Sequence, residues 1–249
     1  MVASSPVPER SPLHLIISEQ LREQILTGRY APGEQLPSEH QLMEQFEVSR
    51  ITIRRVLANL ASQGLVVAHQ GKGVFVKEQR KINYRLSNQL VFFEEDMAQQ
   101  GVTSSIQSLV FEQVRAPKEV REKLKLPAKH ARVYLQKKLL LLDGVPAVFD
   151  VSYILPELGK RFAKELQAQM TFPVLEQNNI GIERIEATFE CTQASQELSQ
   201  HLQIPLGSPL LVYCYTAYSQ DDQPVLFGWA PSCGDRLCYS VTLQRSLGA

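Results

Sequence analysis

The sequence predicts an α+β chain of two domains, a helical front ending in a β-hairpin and a larger back built on a duplicated antiparallel sheet. Three observations carry this prediction. Charge is divided along a neutral chain: residues 1–85 hold 11 Lys/Arg against 8 Asp/Glu, and residues 86–249 hold 15 against 18. Two capped helical periods joined by a very short turn precede a pair of apolar runs around Gly71-Lys72-Gly73. Residues 106–154 also match the pattern of the chain 78 positions further on. The expected boundaries are 1–77 for the first domain, 78–85 for a linker and 86–249 for the second domain.

Composition narrows the function classes. No apolar run approaches the roughly 18 residues that span a bilayer. The first residues, with Glu9 and Arg10 among prolines, lack a signal peptide's apolar core. A cytoplasmic location and no membrane partner are expected. Cys191, Cys214, Cys233 and Cys238 lie far apart without a C-x-x-C pair, which predicts reduced thiols and neither metal nor cofactor.

Taken in order, residues 1–11 are Pro/Ser-rich and read as an arm. From Leu13, the apolar positions Ile16, Ile17, Leu21, Ile25 and Leu26 recur at helical spacing until Gly28. Ser38 stands as N-cap before Leu42, Met43 and Phe46; a hydroxyl there accepts an otherwise orphaned backbone N–H. Glu47-Val48-Ser49 turns the chain into a second helix, about 50–63, capped by Ser49 and buried through Ile53, Val56, Leu57 and Leu60. Arg50, Thr52, Arg54 and Arg55 lie near its start. Leu65 to Ala68 and Gly73 to Val76 pair as a hairpin with a glycine-containing tip. The pattern is a winged helix-turn-helix, whose second helix enters the DNA major groove by its N-terminal end. Between Val48 and Arg85, eight Lys/Arg face one acid, and such a confined basic strip points to nucleic acid. Within the linker, Arg80, Lys81 and Arg85 are candidates for the DNA backbone, and a purely solubilising role is an equal alternative.

In the back, Phe111-Glu112 falls on Phe189-Glu190, Ala116 on Ala194, Leu124-x-Leu126-Pro127 on Leu202-x-Ile204-Pro205, and Phe149 on Phe227. Each copy reads as strand, short helix, strand, Asp-turn, strand. One copy cannot cover its own apolar face, so two should pair about a pseudo-twofold. Ser87 or Asn88 is expected to cap a helix that ends near Gly101. Residues 155–169 and 172–178 read as helices between the copies, and residues 238–245 as a closing strand.

The motifs Leu36-Pro37-Ser38-Glu39, Phe46-x-Val48-Ser49-Arg50, x-Thr52-x-Arg54 and Gln70-Gly71-Lys72-Gly73-Val74-Phe75-Val76 resemble the DNA-binding domain of GntR-type bacterial transcription regulators. The resemblance implies DNA contacts from Arg50 and Arg54, helped by Ser38, Ser49, Thr52 and Arg55, with Gln70, Gly71 and Lys72 placing the wing. His40 stands where an Arg is common, and Glu47 replaces the usual turn glycine. Leu142-Asp143-Gly144-x-Pro146, Ser152-Tyr153-Ile154-Leu155-Pro156 and Gly234-Asp235-Arg236 resemble the UTRA effector domain of the HutC branch, of chorismate-lyase-like fold. This implies a small-molecule effector held by Ser87 and Asn88 at a helix start, Lys138 on a strand, and Asp150 and Ser152 on the next. An anion at a helix N-terminus is physically favourable. Lys138 and Leu140 replace the two arginines usual on that strand, which implies a weakly charged or more apolar ligand.

The expectation is therefore a homodimeric regulator, a repressor of double-stranded operator DNA tuned by an effector. Two alternatives stand beside it: a ligand-independent dimeric regulator, and an enzyme of lyase-like fold fused to a DNA-binding domain.

Overall fold

The computed structural model describes residues 12–77, 81–86, 92–126 and 131–242. The chain parts into two compact units between residues 79 and 80.

In the first unit, α1 (Leu13–Leu26), α2 (Glu39–Phe46) and α3 (Arg50–Ser62) are followed by β1 (Val66–His69) and β2 (Gly73–Val76). Ile17, Leu21 and Ile25 of α1 pack on Leu42, Ile53, Val56 and Leu60, all buried. Ile16 and Leu26, read in the same apolar period, are instead 44% exposed, because each lies one residue, about 100° of helix rotation, away from the buried Ile17 and Ile25. Ser38 begins α2 through a capping box: its hydroxyl accepts from the Gln41 N–H, and the Gln41 side chain accepts from the Ser38 N–H at 2.8 Å. Such a cap is worth about 1 kcal/mol. Glu47 takes the left-handed conformation (φ 52°, ψ 44°) that a turn glycine would adopt, so the helix-turn-helix turn forms without the glycine. In the wing, β1 and β2 pair antiparallel from Val66↔Val76 to His69↔Gly73. Gly73 adopts φ +114°, a conformation that side-chain-bearing residues rarely take, so a glycine is favoured there.

The second unit opens with β3 (Ile82–Leu86) and α4 (Phe93–Gln99). The first copy of the repeat follows as β4 (Ser104–Arg115), α5 (Lys118–Lys123), β5 (Arg132–Leu142) and β6 (Val145–Ile154). After α6 (Pro156–Arg161), α7 (Ala163–Ala168) and α8 (Thr171–Gln177) comes the second copy: β7 (Ile182–Gln193), α9 (Gln196–Leu202), β8 (Pro209–Ser219) and β9 (Pro224–Cys233). β10 (Leu237–Val241) closes the unit. The six long strands form one antiparallel sheet in the order β4-β5-β6-β9-β8-β7, which reads the same for either copy from its outer edge inward. A pseudo-twofold therefore passes between β6 and β9, as the repeat predicts. Both faces are covered by apolar clusters, one centred on Val148, Ile154 and Leu226, the other on Val133, Phe149 and Leu202.

Four expectations are corrected. Residues 82–85, expected in the linker, belong to β3, because Ile82 is buried and the strand pairs parallel with β10 from Leu237↔Ile82 to Val241↔Leu86. The closing strand thus joins a separate two-stranded sheet. Arg85, a candidate for the DNA backbone, gives both its backbone N–H (2.9 Å) and its guanidinium (2.7 Å) to the buried carboxylate of Asp96. The helix expected to be capped by Ser87 or Asn88 starts at Phe93 with Phe92 as N-cap and no side-chain cap; Ser87 and Asn88 lie outside the described residues, as does Arg80. The expected helix over residues 155–169 breaks at Phe162, where φ is −114°.

Candidate functional site

The first unit presents its basic residues at the start of α3 and at the wing tip. Ser49 caps α3 by accepting from the Thr52 N–H, and the two hydroxyls lie 3.0 Å apart, so both serve the helix start. Arg50 and Arg54 fall one turn apart on the exposed face, and each donates to Glu39 at the start of α2, from Nε at 2.7 and 3.2 Å. The hydrogen bond from Arg50, opposed by burial and aided by the hydrogen bond from Arg54, holds the Glu39 carboxyl below its ordinary range. These pairs are exposed and contribute little to stability. Their effect is geometric: one carboxylate holds two guanidinium groups side by side at the N-terminal end of α3.

His40 extends beside Glu44, with Nδ1 3.4 Å from its carboxylate. Arg55, Gln70, Gly71 and Lys72 are all exposed. Gly71 is in the left-handed region (φ +73°), and Gln35 Nε2 donates to the Lys72 carbonyl at 2.8 Å, fixing the tip while leaving the Lys72 ammonium in solvent. Ile51, not singled out from the sequence, is 68% exposed between Arg50 and Arg54; the available signal is that it falls outside the apolar period Ile53, Val56, Leu57 and Leu60 of α3.

In the second unit, Lys138 and Asp150 meet as cross-strand neighbours on β5 and β6. Both are buried, and both face a cavity of about 80 Å³. The Lys138 ammonium donates to the Gln169 carbonyl at 3.0 Å and to Thr171 Oγ1 at 2.9 Å. Burial pushes its pKa down to about 8, against the pull of Asp150 and Glu94. The Asp150 carboxylate accepts from the Tyr215 hydroxyl at 2.7 Å and from Ser152 Oγ at 3.0 Å. Burial raises its pKa, and the hydrogen bond from Tyr215 opposes that rise. Ser152 does not line the cavity; it supports Asp150 from behind.

Most of the wall is aromatic. Tyr213 stacks on Tyr215 (centroids 5.4 Å apart) and on Tyr239 (5.7 Å), and Tyr84 meets Phe93 and Tyr239 edge-on. Phe172 and Met170 complete it, with Glu94 of α4 as a third ionisable group. Burial pushes the Tyr213 and Tyr239 phenols up to about 12, so they are neutral hydrogen-bonding groups. None of these aromatic residues was singled out from sequence. Tyr84 sat in the presumed linker, and period-two aromatics in β8 and β10 look like ordinary core. Arg236, part of the C-terminal motif, is buried outside this cavity and donates to the carbonyls of Pro146 and Leu202, tying the β5–β6 turn to α9.

Comparison with known proteins agrees with both halves of this description. Residues 14–76 match "Bacterial regulatory proteins, gntR family", and residues 99–237 match "UTRA domain". The chain is 29% identical to the HTH-type transcriptional repressor NagR of Bacillus subtilis (strain 168), over 97% of both proteins. It is 28% identical to the mannosyl-D-glycerate transport/metabolism system repressor MngR of Escherichia coli (strain K12), over 84% of this chain and 87% of that protein. Among solved structures, PhnF from Mycobacterium smegmatis superposes with a TM-score of 0.61 over 92% of this chain and 99% of that one, at 20% identity, which shows a shared fold.

Proposed function

The chain belongs to the gntR family of bacterial regulatory proteins, in the branch that carries a UTRA domain, and from that premise we propose that it is a homodimeric cytoplasmic repressor whose operator affinity is set by a small effector in the second unit. The observation that carries this is the cavity: a buried, aromatic-lined chamber with its own Lys–Asp pair has no use in gripping DNA. The relatives named as repressors support the sign of the regulation. DNA binding places the protein in the cytoplasm, and among the described residues no helix is long and apolar enough to cross a membrane.

The front unit supplies affinity and readout by different residues. Arg50 and Arg54, at the entering end of α3, are placed to read guanine edges, and exposed Ile51 offers an apolar contact to a thymine methyl. Lys72 at the wing tip adds phosphate contact and salt dependence. A twofold dimer would set two such units on half-sites of a near-palindromic operator. An effector that binds one dimer geometry better than the other shifts the population away from the DNA-compatible form, with coupling of about 1–3 kcal/mol.

The test is fluorescence anisotropy of the full-length protein on duplexes selected from a random pool, across a salt series. Arg54→Ala should cost about 1–3 kcal/mol on selected DNA and less on random DNA. Lys72→Ala should weaken both alike and lower the salt slope by about one unit. Absence of salt-sensitive retention on any duplex would overturn the proposal. A metabolite panel that leaves operator affinity unchanged would favour a ligand-independent regulator, and turnover of a bound compound would favour an enzyme.

A further inference from the structure

We propose that the cavity receives the ammonium group of a small, apolar-bodied amine, with Glu94 as its counter-ion. This deepens the effector reading and rests on it only for the consequence at DNA.

The argument begins with which polar groups the protein already partners. Lys138 commits two donors to Gln169 and Thr171, and both Asp150 oxygens accept from Tyr215 and Ser152. Glu94 also lines the cavity, yet its Oε1 is buried with no hydrogen-bond partner among the described residues. A buried carboxylate oxygen without a donor is costly, and a ligand N–H supplies what is missing. The charges agree in sign. By formal charge, Glu94 and Asp150 against Lys138 leave one net negative charge on the lining; burial raises the Glu94 carboxyl, and an ammonium beside it would hold it ionised, whereas a phosphate or carboxylate would oppose that.

The expected anion site at the helix start also finds no support in α4. That helix is 7 residues long and carries Glu94, Glu95 and Asp96 in its first turn. Around Glu94 the wall is made of ring faces and edges, chiefly Tyr84, Phe93, Phe172, Tyr213 and Tyr239, and such cages favour a cation through the ring quadrupole. The volume, about 80 Å³, admits roughly half a dozen water-sized groups, so the ligand is compact.

Three probes of one shape and three charges decide the matter: benzylamine, benzyl alcohol and benzoate, titrated calorimetrically into the full-length protein without DNA. Benzylamine should bind roughly tenfold or more tightly than benzyl alcohol, with benzoate weakest. Glu94→Gln keeps the side-chain shape, and circular dichroism checks that it folds. It should erase the preference for the amine, bringing benzylamine's affinity down to that of the alcohol. Benzoate binding as well as benzylamine, a preference that survives Glu94→Gln, or no benzylamine binding at millimolar concentration would overturn the proposal. Because binding is scored without DNA, this result stands apart from the effector reading, which is judged by anisotropy on operator duplex.

Discussion

The two halves of the six-stranded sheet share strand order, helix position and turn, yet they diverge at one equivalent cross-strand pair. The bulge at Ala147 in β6, opposite Leu140 and Leu141, has its counterpart at Val225 in β9, opposite Ala217 and Tyr218. Two residues before Leu140 and before Ala217 lie Lys138 and Tyr215, whose cross-strand partners are Asp150 and Gly228. One half therefore carries a charged pair where the other carries a phenol and a glycine. Tyr215 leans across the β9 backbone at Gly228, where a Cβ would lie 3.0 Å from its hydroxyl and 2.7 Å from the Val151 carbonyl, and donates to Asp150. The difference teaches how a duplicated scaffold acquires a site. Apolar alternation maintains the symmetric sheet, and a few residues break the symmetry so that one half completes the hydrogen bonding of the other.

Removing the acceptor shared by both halves should break the arrangement most severely. Asp150→Ala leaves the hydroxyls of Tyr215 and Ser152 without their acceptor and the Lys138 ammonium without its neighbouring charge. It is expected to cost about 3 kcal/mol in urea unfolding. A loss below about 0.5 kcal/mol would show that the hydroxyls re-pair locally and that the two halves are not joined through Asp150. Gly228→Ala comes next, at about 2 kcal/mol, because its Cβ overpacks the Val151 carbonyl and the Tyr215 hydroxyl at once. Combined with Tyr215→Phe, which removes that hydroxyl, the two costs should fall short of additivity. Strict additivity would deny that the glycine exists to let the phenol pass.

The same asymmetry explains what was legible in the sequence. The winged helix-turn-helix is encoded locally: caps at Ser38 and Ser49, an apolar period in α3, and glycines at 71 and 73 that few other residues can replace. The doubled sheet was legible because register and turn chemistry recur at a nearly constant offset. Lys138 and Asp150 were found through the resemblance to the UTRA domain, since Arg132 and Lys137 on the same strand are charged too. The aromatic wall was not, since Tyr84, Phe93, Phe172, Tyr213 and Tyr239 come from five separate elements, and each alone resembles core packing. β3 was missed for a different reason: its alternation, apolar at Ile82, Tyr84 and Leu86, is only five residues long and follows directly on the charged stretch from Lys77 to Lys81.

The smallest expected effect is also the one that sets the two counterpart residues against each other most directly. Burial lowers the Lys138 pKa from 10.5 to about 8, so between those values the unfolded chain binds more protons than the folded one. Stability from this group therefore rises with pH from about 8 toward 10.5, as the penalty of a buried ammonium disappears. Tyr215 acts with the opposite sign. Burial, then the Asp150 carboxylate, raises its pKa well above 10.0, so the folded chain keeps a proton that the unfolded chain loses, and stability falls as pH climbs past 10. Thermal unfolding of the wild type and of Lys138→Met between pH 8 and 9.5 isolates the first effect as the difference between the two proteins. The wild type should gain about 1 kcal/mol on Lys138→Met across that window, within the limit of 1.4 kcal/mol per pH unit for one proton. Parallel curves would mean that Lys138 keeps an ordinary pKa in the folded chain, and that the charged half of the sheet is better solvated than its burial implies.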